Sequence, residues 1–171
     1  MGRRVQVLIL ASCILTGSPL LTAQVQNAPP GVAAALLVKL SAFERNVSSA
    51  GDVVVYVLGA PSVAQELRKG IGQAIGTSKL TRVLAGAGLP DQRPTVLYVG
   101  DVSNLDRAIA YARAHDVLSV TGSPEWVERG VALGIGVGND GKPKVILNLV
   151  ATVEENLSWN PAIMKVARTV R

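Results

Sequence analysis

Three short apolar runs, each closed by glycine, constrain this chain more than any other feature: VVVYVLG (53–59), TVLYVG (95–100) and DVLSVTG (116–122). They are brief, rich in β-branched residues and bounded by turn formers, which predicts strands covered on both faces. Between them lie segments of helical spacing, around 63–69 and 103–114; in the second, Leu105, Ile109 and Ala112 share one face. Strands alternating with helices predict an α/β fold: a three-layer sandwich whose largely parallel sheet is flanked by helices. A serine follows each closing glycine (Ser62, Ser103, Ser123), with Pro61 and Pro124 beside two of them. These read as strand-to-helix turns carrying a capping residue.

The remaining segments fit the same plan. Leu36, Leu40 and Phe43 space a mostly buried helix over 32–46, and a weak short strand is expected near Val83. After a short helix closing at Gly130 come VALGIGVG and KVILNLV, separated by Asn139, Asp140 and Gly141. From Gly136 to Lys142 this region spells G-x-x-x-x-G-K, the spacing of a phosphate-binding loop. That loop needs a helix after it and a Ser or Thr after its lysine. Here Pro143 and a strand pattern follow, while Gly134, Gly136 and Gly138 alternate with Leu133, Ile135 and Val137. Asn-Asp-Gly is turn chemistry, so a β-hairpin near the C-terminus is predicted. A helix or turn over 151–157 leads to a last helix, with Asn160 as cap, Pro161 at its first position and Ile163, Val166, Ala167 and Val170 facing inward.

The chain opens with Arg3 and Arg4, an apolar run from Val5, and Ala23 before Gln24. This is the layout of a secretory signal peptide over 1–23, leaving 24–171 as a single domain. A second reading is open: LASC (10–13) resembles a lipobox, which would lipidate Cys13 and anchor the protein in a membrane. Cleavage after Ala23 leaves 15 basic against 12 acidic side chains, scattered without a basic stripe, which excludes a nucleic-acid surface. Cys13 is the only cysteine and His115 the only histidine, so a disulfide, a zinc–thiolate site and a cysteine nucleophile are excluded in the cleaved chain.

Candidate chemistry is sparse. GIGQAIG (70–76) resembles a dinucleotide loop only loosely and follows a polar helix rather than a strand. His115 reads as a stabiliser of a helix C-terminus. Glu154 and Glu155 share a helix face without a partner for acid–base work, and no G-x-S-x-G elbow is present. No catalytic residue, cofactor or metal site is expected. One binding site is suggested by the plan of the sheet, since ligands of such folds sit where strands end and helices begin. That rim would comprise Ser62, Asp101, Ser103, Thr121 and Ser123; equally, each serine would cap its own helix. Trp126 and Trp159 stand out in a chain only 4% aromatic, as core anchors or as interface residues.

In their order, LLVKLSAFERN, VVVYVLG, TVLYVG, DVLSVTGSPEWVERGVALGIG and GKPKVILNLVATVEENLSWNPAIMKVARTV resemble the YfiR-like family of bacterial periplasmic proteins. Gly130, Asn148, Leu149, Met164, Lys165, Ala167 and Val170 fall at positions of that pattern. The resemblance implies an α/β periplasmic regulator without catalysis. Its partner would be the periplasmic part of a membrane-bound signalling protein, a diguanylate cyclase or a histidine kinase, with an effect on cyclic-di-GMP signalling in the first case. A homodimer is compatible with it. A periplasmic small-molecule sensor using the strand-end rim is the alternative. Two features depart from the family: the cleaved chain lacks the cysteines that make some members redox-responsive, and Phe43 with ERNV stands where many have an aromatic-rich helix ending near Trp-Pro.

Overall fold

The computed structural model describes residues 25–171; the leader and Cys13 lie outside the described residues. The elements in order are β1 (Gln26–Asn27), α1 (Pro30–Ser41), α2 (Arg45–Ser48), β2 (Asp52–Leu58), α3 (Pro61–Arg68), β3 (Ala74–Ile75) and β4 (Ser78–Gly86). The second half holds β5 (Val96–Val99), α4 (Leu105–Ala114), β6 (Leu118–Thr121), α5 (Glu125–Glu128), β7 (Leu133–Val137), β8 (Pro143–Asn148), α6 (Leu149–Glu154), a 3-10 helix (Pro161–Lys165) and β9 (Ala167–Val170). They build one sheet in the order β3-β4-β2-β5-β6-β7-β8-β9, with β1 pairing β7.

The α/β expectation holds. β4, β2, β5, β6 and β7 run parallel, and β7 and β8 form the antiparallel hairpin read from Asn139–Gly141. β9 returns parallel to β8 at the sheet margin. Side-chain alternation divides the core. One layer packs α1 and α3 on Val53, Val55, Val57, Val96, Leu118 and Leu133; the other packs α4 on Leu58, Leu97, Val99 and Val131. Burial of this size is the main drive for the three-layer arrangement.

The glycine face of the hairpin answers a packing need within the chain. A Cβ on Gly134 would collide with Val127 of α5, and one on Gly136 would strike Pro124 and the N-terminal segment. Small residues on that face let α5 lie directly on β7, and the nucleotide-loop spacing is a by-product. GIGQAIG also has a structural role, since Ala74 and Ile75 form β3 and pair back on β4.

Several local expectations need correction. The strand near Val83 is nine residues long rather than short, because its polar side chains occupy an outer position beside the small β3. The first helix stops at Ser41, and Glu44 starts a separate turn by accepting from the Val47 amide. None of the three serines caps a helix: α3 has no side-chain cap, Asn104 caps α4, and Pro124 precedes α5. The last helix is absent. Asn160 does cap, accepting from Ala162 N–H, but the 3-10 helix it starts ends at Lys165 and 167–170 is β9. Of the residues assigned inward, Ile163 is fully buried, whereas Val166 is 53% exposed.

Candidate functional site

The strand ends expected to hold a ligand are drawn together by backbone contacts. Gly100 N–H donates to Leu58 C=O at 2.8 Å and Asp101 N–H to Gly59 C=O at 3.0 Å, which zips the loop after β5 to the loop after β2. Gly59 has a φ of +66° and its α-carbon lies so close to the Asp101 carbonyl that only glycine fits there. On the other side, Ala28 N–H donates to Gly122 C=O at 3.3 Å, seating the N-terminal segment over the end of β6.

Between these walls is a cleft of about 400 Å³ lined by Asn27, Tyr98, Asp101, Ser123, Glu125 and Trp126, with Gly100 and Gly122 at its margins. Its titratable lining is acidic, through Asp101 and Glu125, although the chain as a whole has a net charge of +5. Tyr98 rises from the sheet beneath it with 3% of its surface exposed. Burial pushes its phenol up to about 12, opposed by the Gly122 amide lying against the phenolic oxygen.

The rim residues read from the sequence separate in space. Asp101 and Ser123 share this cleft. Thr121 is fully buried, donating to Val99 C=O at 2.9 Å and accepting from Ser123 N–H at 3.1 Å, so it shapes the turn without facing a ligand. Ser103 lines a different depression with Gly88 and Arg107, and Ser62 is exposed in the first turn of α3. Trp126 is half-buried, packing on the α4 layer while lining the cleft. Trp159 packs against the α1 layer and donates its indole N–H to Thr152 Oγ1 at 3.2 Å. His115 ends α4 as expected: its Nδ1 donates to Tyr111 C=O at 2.8 Å and its ring stacks on Tyr111. No group of three His, Cys, Asp or Glu side chains among the described residues could hold a metal ion.

Two buried carboxylates were not foreseen. Glu44 is fully buried and accepts from Val47 N–H at 2.7 Å and Ser158 N–H at 2.8 Å, tying the end of α1 to the C-terminal segment. Glu155 is also fully buried and does not share the environment of Glu154, which pairs with Arg113 at the surface. Its carboxyl accepts from Ser119 N–H at 2.9 Å and from the Ser119 hydroxyl, whose oxygen accepts in turn from Ala132 N–H at 2.9 Å. Burial pushes Glu155 up to about 7, against the lowering effect of Ser119 and the Arg113 charge. The only sequence signal for the pair was a serine inside the apolar strand DVLSVTG; its partner lies 36 positions away.

Comparison with known proteins agrees with this architecture. No curated protein matches the chain. Among solved structures, a conserved domain protein from Vibrio cholerae O1 biovar El Tor strain N16961 superposes with a TM-score of 0.53 at 12% identity, over 85% of this chain and 61% of that one. At that identity the likeness establishes the fold alone, and this chain spans less than two thirds of its neighbour. No helix of the described residues is long and apolar enough to cross a membrane. The model of the YfiR/HmsC-like family matches residues 31–168, from the start of α1 to within β9. Matched from its first long helix to its last strand, the chain belongs to the YfiR/HmsC-like family, a family of periplasmic regulators.

Proposed function

We propose that this protein is a non-enzymatic periplasmic regulator that binds the periplasmic part of an inner-membrane signalling protein, of the diguanylate cyclase or histidine kinase type. The observation that carries the reading is the family match over residues 31–168. A leader cleaved after Ala23 delivers the domain to that compartment; lipidation at Cys13 would instead tether it there.

The C-terminal margin of the sheet supports a protein partner. Among the described residues β9 pairs with β8 along one edge and is the last strand of the sheet, so its other edge has no strand partner there and offers N–H and C=O groups. Beside it Met164 and Val166 are half exposed, and Val153 on α6 is 78% exposed. Apolar side chains left in water near an open strand edge are characteristic of an interaction surface. Lys165, Arg168 and Arg171 make this margin basic, which suits an acidic partner surface.

Deleting the gene is expected to change the output of the partner, read as cellular cyclic-di-GMP or as phosphorylation of a kinase's response regulator. Restoring the wild-type chain should reverse the change. Unchanged cyclic-di-GMP together with unchanged kinase output would contradict the reading.

A further inference from the structure

α6, which carries part of the docking margin, is held on the sheet more by polar anchors than by apolar burial. Of its six residues only Ala151 is buried, while Val150 and Val153 are exposed. Asn148 fixes its start by accepting from the Val150 and Ala151 amides and donating to Val127 C=O. Glu155 fixes its end by accepting from the Ser119 amide and hydroxyl on β6. Asn156 then turns the chain with a φ of +52°, and Leu157 N–H closes back on Thr152 C=O at 2.9 Å. Trp159 donates to Thr152 Oγ1, so it is tied to the same end of the helix.

The charges acting on Glu155 come from two elements. Arg113 of α4 is paired with Glu154 of α6 at 2.6 Å, so one guanidinium serves two neighbouring carboxylates. Arg113 Nε is buried with no hydrogen-bond partner among the described residues, which leaves it a spare donor. β6 presents the neutral Ser119, and Ala132, just before β7, donates to the Ser119 oxygen. From the segment after α1, Glu44 holds the neighbouring Ser158 amide, and Arg93 and Asp116 line a depression beside Leu118 and Leu157. An ionised Glu155 is thus a buried charge without a cation of its own, costly in place and relieved by exposure. Burial raises this carboxyl to about 7, so its charge changes near neutrality.

Resting on the reading of the α6–β9 margin as the docking surface, we infer that α6 is a pH-responsive strap: protonated Glu155 holds its end on β6, and ionised Glu155 releases that end, with Val153 and Trp159, and weakens docking. Proton binding favours the held form. Its advantage is complete below the ordinary 4.5 of the carboxyl and is lost as pH rises to about 7.

In Trp126→Phe the sole remaining tryptophan is Trp159, and acrylamide quenching of its emission measures its exposure in the isolated, folded chain. Quenching should rise with pH and level off above about 7, with circular dichroism unchanged. Adding Glu155→Gln, which keeps an acceptor for the Ser119 amide, should abolish the rise. Adding Glu154→Gln, at an exposed position, frees Arg113 for Glu155 and should move the rise to lower pH. His115→Gln should leave the rise in place, although histidine titrates in the same range. Crosslinked capture of the partner should be several-fold lower at about pH 8 than at about pH 6 in wild type, and equal at the two in Glu155→Gln. Quenching that does not change with pH, or that still changes in Glu155→Gln, overturns the switch. Equal capture by wild type at both pH values overturns its link to docking. Because quenching is read on the isolated chain, capture of no partner at either pH counts against the docking surface alone.

Discussion

Wild-type protein is expected to lose stability between about pH 4.5 and pH 7, and Glu155→Gln is expected to remove most of that loss. The folded state raises Glu155 from an ordinary 4.5 to about 7 through burial. In that window the folded chain holds a proton that the unfolded chain has released. Stability therefore falls as pH rises, with the favourable contribution complete below the unfolded value and gone above the folded one. A shift of this size corresponds to roughly 3 kcal/mol. Ser119 can still donate its amide to the carbonyl of the substituted side chain, so the variant retains the link between α6 and β6 while carrying no titrating group. Thermal melts from pH 4.5 to pH 8 check this. For a chain of this length, about 3 kcal/mol is a difference of about 5–10 °C in the melting shift across the window. Parallel pH profiles for wild type and variant would show that Glu155 stays ionised in the folded state.

Glu44→Ala carries a comparable effect through lost hydrogen bonds. Removing the carboxylate strips the acceptor from two amides at once, those of Val47 and Ser158, and empties a fully buried site. Each amide left unmatched costs about 1–3 kcal/mol, so a total near 3 kcal/mol and a melting temperature lowered by about 10 °C are expected. Glu44→Gln keeps one acceptor oxygen and should recover about half of the loss. Because the bond spans 114 positions, chemical denaturation should show the loss in the global transition and not as fraying of one end. An alanine variant within about 0.5 kcal/mol of wild type would mean that the segment around Ser158 is held by Trp159 alone.

These two carboxylates also show where sequence reading stopped. Strand and helix periodicity exposes the layers, because the apolar side chains of β2, β5 and β6 had to be covered on both faces. Turn chemistry exposed the β7–β8 hairpin for the same local reason. Burial of Glu44 and Glu155 depends on amides supplied by residues 114 and 36 positions distant, which no local pattern encodes. The same limit explains β9. Val166 and Val170 are four apart and Asn160–Pro161 is a good helix start, so the segment has helical spacing. Its pairing with β8 is a long-range choice that outweighs it. At the candidate site, Asp101, Ser123 and Trp126 were legible from their places after strands. Tyr98 was not: as a core residue of TVLYVG it gave no sign that its hydroxyl would surface at the next strand end.

The central claim, that this chain regulates by binding a membrane signalling protein, is tested most directly by recovery of its partner. Affinity purification after crosslinking in intact cells, with mass spectrometry of the captured proteins, should enrich an inner-membrane protein bearing a periplasmic domain and a cyclase or kinase output domain. The doubly charged variant Met164→Glu/Val166→Glu, altered only at exposed positions beside β9, should fold normally and capture several-fold less of it. Enrichment of no membrane signalling protein by the wild-type chain, under conditions where the chain itself is recovered intact, would contradict the account.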